Sequence, residues 1–148
     1  MAGVTCVVLR AHPESVEPVC YDPEAAATIL PIELRKNQLF GQGKSAADVE
    51  REVSAGLLGG KYRLPRRPAT TYMMSAGQVL YSDERQRVGR WQPHLMLYVP
   101  YITGADVGLG DPPSPRAALV VDGGRPLANI IVVVKEFMPV KGAGTASE

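Results

Sequence analysis

The sequence predicts an α+β domain, a mainly antiparallel sheet with two helices packed on one face. Three observations lead there. Strand-like runs cluster before and after one helical block instead of alternating with helices, the order that separates α+β from α/β chains. Thirteen Pro and fifteen Gly among 148 residues favour short strands and shaped loops over a helix bundle. The 45% hydrophobic content is that of a globular chain, and the length suits one domain that buries a core without metal or several bridges. That domain is expected over residues 1–140, followed by a small, polar, flexible tail over 141–148.

In chain order, Val4 to Arg10 and Val16 to Tyr21 read as a hairpin across the polar loop Ala11–Ser15. Setting residue 10 opposite residue 16 places 8 opposite 18 and Cys6 opposite Cys20, at a separation where a bridge is possible. Pro18 offers no ladder N–H, which points to a sheet edge. Asp22 to Thr28 is a loop or a short helical turn. Pro31 to Phe40 reads as a helix, with Pro tolerated at its start, Ile32, Leu34, Leu39 and Phe40 as apolar members, and Gly41-Gln42-Gly43 ending it. Ser45 with Asp48 resembles a capping box. Val49, Val53 and Leu57 then recur every four residues on one face, and Gly59-Gly60 stops the helix.

Strands follow. Thr71–Ser75 and Gln78–Tyr81 flank Ala76-Gly77 like a hairpin, Ser82–Gly89 is polar loop, and His94–Val99 is a strand bracketed by Pro93 and Pro100. On that strand His94, Met96 and Tyr98 share one face and Leu95, Leu97 and Val99 the other; the second set suits the core and the first a pocket. Gly104–Pro115 is a Gly/Pro-rich excursion of a length seen in functional loops. Ala117–Val121 and Asn129–Val134 form a last hairpin over Asp122-Gly123-Gly124, and the apolar run from Ile130 to Val134 implies a strand covered on both faces.

Sixteen basic against fifteen acidic residues give a formal +1, so no global field recruits nucleic acid or an anionic membrane. No apolar run approaches the roughly 20 residues that span a bilayer. Residues 61 to 90 carry seven basic groups against Asp83 and Glu84, with Tyr62 close by and Trp91 just beyond. The Arg forks of Arg66 and Arg67 suit an anionic ligand. Nucleic acid is not expected as a partner. No cofactor is expected either: Gly104, Gly108 and Gly110 lack the spacing of a phosphate loop, and with His12 and His94 the only imidazoles, no metal site is expected.

The densest chemistry lies between Arg90 and Asp106. Trp91, His94, Tyr98 and Tyr101 are candidate pocket residues, with Arg66 or Arg67 as an anion clamp. His94, Ser75 and Asp106 make a catalytic set arithmetically available, with Tyr72 as another neighbour, but Met74-Ser75-Ala76-Gly77 keeps only the second half of a nucleophile elbow. Cys6 and Cys20 are open to three readings: a bridge, two buried thiols, or a redox pair, the last lacking the usual C-x-x-C spacing.

Three stretches carry a resemblance: Val4-Thr5-Cys6-Val7-Val8, the run from Pro65-Arg66-Arg67-Pro68 to Tyr72-Met73-Met74-Ser75, and Pro93-His94-Leu95-Met96 through Tyr98 to Pro100-Tyr101-Ile102-Thr103-Gly104-Ala105-Asp106. They resemble a group of small uncharacterised bacterial proteins, often predicted to be exported, with no assigned activity. The resemblance implies an extracytoplasmic home, periplasmic or secreted, with an export signal trimmed from the N-terminus, and it favours the Cys6–Cys20 bridge. Met1-Ala2-Gly3 itself has no signal character, and an untrimmed chain would be cytoplasmic. The expectation is a domain that binds a small molecule or partner in the cell envelope without catalysis. The alternatives are a small hydrolase or transferase with His94 as general acid/base, and an interaction protein that offers the Val16–Tyr21 edge.

Overall fold

The computed structural model describes residues 3–82, 86–109 and 118–138. The expected tail, half of the Gly/Pro-rich excursion and Arg85 lie outside them. Six strands form one antiparallel sheet: β1 (Thr5–Leu9), β2 (Glu17–Tyr21), β3 (Ala69–Met73), β6 (His94–Tyr98), β8 (Asn129–Val133) and β7 (Ala118–Val121), in that spatial order. A separate hairpin pairs β4 (Val79–Ser82) with β5 (Arg87–Arg90). Three helices, α1 (Pro23–Thr28), α2 (Leu30–Gly41) and α3 (Ala46–Leu58), connect β2 to β3. The chain is thus α+β as expected, with one more short helix than the sequence pattern resolved. No helix among the described residues is long and apolar enough to cross a membrane.

Local chemistry explains the elements. Asp22 caps α1: its Oδ1 accepts from Ala25 N (2.7 Å) while Oδ2 accepts from Thr70 N (2.9 Å), so one carboxylate starts the helix and ties it to β3. Ser45 and Asp48 form the anticipated capping box at the start of α3. Val49 and Val53 are buried as the four-residue spacing required. The core lies between the helices and one sheet face, where Val19, Tyr21, Ala25, Ile29, Ala69 and Met73 pack together.

The β1–β2 register is the expected one, with Cys6 opposite Cys20 and Val8 opposite Pro18. The sulfurs lie at bonding distance, 2.09 Å, across a Cα–Cα gap of 4.0 Å. That narrow spacing marks a pair that exchanges no backbone hydrogen bonds. Pro18, two residues away, shares its parity, so its missing N–H points away from β1.

Five expectations are corrected. β2 is not an edge strand: β3 pairs with its far end at Cys20–Tyr72 and Tyr21–Thr71, and the same register puts Pro18 one residue past the end of β3, where no donor is needed. β3 and β4 do not form a hairpin, because β2 and β6 already occupy both sides of β3; β4 turns out to pair with β5. All of β5 but Arg90 in turn falls within the stretch read as polar loop. The faces of β6 are reversed. His94 and Tyr98 are buried on the helix side, where Tyr98 fills the space left by Ala69 opposite it, whereas Leu95 and Leu97 lie on the other side and are only half-buried. Finally, Ile130 to Val134 are half-buried and not enclosed on both faces.

Candidate functional site

The residues singled out from the sequence do not converge. His94 is 2% exposed. Its Nδ1 lies 2.8 Å from Gln92 O, and the Trp91 ring meets it edge-on at 6.5 Å. Burial holds its pKa below the ordinary value, against the opposing pull of the Gln92 carbonyl. Tyr98 is buried too, and burial drives its hydroxyl to titrate well above the usual range.

Asp106 lies past the opposite end of β6 from His94, a strand of five residues that extends over about 13 Å between its end Cα atoms. It accepts from Thr103 N (2.8 Å) and Thr103 Oγ1 (2.7 Å). Ser75 Oγ accepts from Gly77 N. No Ser-His-Asp constellation is therefore assembled. Arg67 reaches Glu24 (Nε to Oε2, 3.0 Å), and the Arg66 backbone N–H donates to the same carboxylate. This part of the basic run thus braces α1 against the approach to β3. Trp91, half exposed, borders a more open, polar depression of about 550 Å³ with Arg90, Pro93, Val133 and Phe137. Among the described residues no cluster of His, Cys, Asp and Glu has the makings of a metal site.

A different place is shaped to bind. Two cavities of about 370 and 470 Å³ adjoin along α3 and share Ser54, Leu57 and Pro126 as walls. Either lies within the range of ligand pockets. The first has a floor of Phe40, Val49, Val53 and Leu127 beneath a charged rim. There Lys36 pairs with Glu33 (2.7 Å), and Arg125 pairs with Glu50 and, at 3.5 Å, with Asp122. Three carboxylates against two cations leave that end acidic.

The second cavity is apolar, walled by Leu57, Leu58, Leu64 and Tyr101 with Tyr62 at its base. The buried Tyr62 hydroxyl has no hydrogen-bond partner among the described residues. A buried hydroxyl of this kind is satisfied by an ordered water or by a bound acceptor.

The local sequence explains this shape. Lys61 N and Tyr62 N both donate to Gly56 O (2.9 and 3.2 Å), so the chain doubles back over the last turn of α3. The Tyr62 ring lies where a Cβ on residue 56 would stand, which only Gly allows. Tyr101 is held at φ 65°, in the left-handed region unfavourable to a bulky residue. Its N–H donates to Arg125 O (3.0 Å), which fixes the ring beside Pro126.

Of the residues proposed from sequence for a pocket, Tyr101 alone lines this groove. The available signal for the rest was the surplus apolar pair Leu57-Leu58 at the end of α3, followed by Tyr62 and Leu64, more than one helix face can bury. The charged rim could not be found that way, because it joins Glu33, Lys36 and Glu50 to Asp122 and Arg125, far apart in the chain. Comparison with protein-family models, with curated proteins and with solved structures finds no match.

Proposed function

We propose that this protein is a non-catalytic binding domain whose ligand lies in the groove along α3. The carrying observation is the junction of an apolar cavity, lined by Tyr62 whose buried hydroxyl has no partner among the described residues, with a second cavity under an acidic rim. The matching ligand is an elongated amphiphile. Its apolar body lies over Val53, Leu57 and Pro126, an acceptor atom meets Tyr62, and a cationic or strongly polar head reaches Glu33, Glu50 and Asp122. The left-handed Tyr101 supports the same reading, since backbone strain concentrates where a side chain must be held for a ligand.

We also infer an extracytoplasmic setting. Cys6 and Cys20 at bonding distance suit an oxidising compartment, and the resemblance the sequence offers is to a group of small bacterial proteins often predicted to be exported. Native and denaturing mass spectrometry of the protein made in its own host tests both points. The expected spectrum shows a protein mass short by two hydrogens and a co-purifying small molecule that Leu57→Arg abolishes. An adduct-free native spectrum from a correctly folded sample would overturn the binding reading, and fully reduced cysteines the extracytoplasmic one.

A further inference from the structure

The sheet has a second face, and nothing among the described elements accounts for its composition. Twelve strand positions point away from the helices: Cys6 and Val8 on β1, Pro18 and Cys20 on β2, Thr70 and Tyr72 on β3, with the remaining six on β6, β8 and β7. Those six are Leu95, Leu97, Ile130, Val132, Ala118 and Val120, and none of the twelve carries a charge. None is buried, and Val8 is 60% exposed. An antiparallel sheet that shows one face to water alternates apolar and polar residues. Here β7 and, Asn129 apart, β8 are apolar on both sides, the pattern of strands enclosed in a core.

We propose that this face is the interface of a homodimer, two copies stacking sheet on sheet with their helices outward. Two arguments select a second copy as the occupant. Twofold self-pairing brings each patch against itself, and a face without charge meets its own image with no like-charge contact, its only side-chain polar hydrogen-bonding groups being the Thr70 and Tyr72 hydroxyls. The area also fits. Six strands about 4.8 Å apart and about 17 Å long give a footprint of about 500 Å². Pairing two such faces hides about 1,000 Å², the lower bound of a specific interface. A lipid surface would be expected to meet basic residues beside its apolar contact, and this face supplies none. The groove lies on the helix side of the sheet, so dimerisation leaves it open and the two proposals stand independently.

An interface of this size predicts reversible association. Sedimentation of the full chain should give a mass rising from 15.9 kDa toward twice that value between about 1 and 100 μM. Leu97→Glu, at the centre of the face, should weaken the dimer about a hundredfold or more by burying a carboxylate against apolar side chains. Leu34→Glu, on α2 and already 46% exposed, should leave it unchanged. If Leu97→Glu does not fold, side-chain footprinting of the wild type decides instead: Tyr72 and Leu97 should become protected as concentration rises. A mass of 15.9 kDa throughout, a dimer indifferent to Leu97→Glu, or footprints independent of concentration would overturn the proposal. A monomer that binds neutral lipid vesicles through this face would overturn it in favour of a membrane contact.

Discussion

His94 draws attention in the sequence as an imidazole at the mouth of a strand, a position suited to catalysis. Its surroundings give it another part. With 2% of its surface exposed and Nδ1 on the Gln92 carbonyl, it closes one end of the core as a neutral ring. Which way it faces was not legible: strand alternation separates His94, Met96 and Tyr98 from Leu95 and Leu97 but does not say which set meets the helices. That follows from pairing with β3, where Tyr98 faces the buried Ala69, 29 residues earlier. A lowered folded pKa has a definite sign. The stabilisation is complete above the ordinary value of 6.5 and is lost as the pH falls through the lower folded value, because the unfolded chain takes up the proton first. Thermal midpoints should therefore drop between about pH 7 and pH 5, and His94→Gln should flatten that slope. Identical slopes for the two proteins would remove His94 from the account.

The hairpin of β1 and β2 was the part of the fold most open to sequence arithmetic, because a short loop between two β-rich runs leaves few registers. The β3–β4 hairpin looked equally plausible and did not form. Pairing depends on which strand edges remain free, and those of β3 are taken by β2 and by β6, which begins at His94, well beyond the β4–β5 hairpin. α3 belongs with the legible parts, since its capping box and four-residue apolar spacing are local; the groove beside it needs the Asp122–Leu127 turn, brought in by sheet topology alone. The Cys6–Cys20 pair closes a sequence separation of 14 residues, for which chain entropy gives about 3 kcal/mol. Replacing both cysteines by Ser should lower the thermal midpoint by about 10 °C at this chain length without altering the far-ultraviolet circular dichroism. A loss below about 2 °C would mean that the β1–β2 register holds without the bridge.

The molecule as a whole presents two surfaces of opposite design. One side of the sheet is covered by three helices and carries, along α3, a groove that runs from an acidic rim to the ring of Tyr62. The other is an uncharged apolar plane suited to self-association. Binding at the first is the central claim, and an amide NMR titration with octylamine, with octanoate as the head-group control, tests it most directly. The account predicts saturable shifts confined to residues around Val53, Leu57, Tyr62, Tyr101 and Leu127, stronger for the amine because Glu33, Glu50 and Asp122 outnumber Lys36 and Arg125. Shifts gathered around Trp91 and Arg67, or none that saturate, would contradict it.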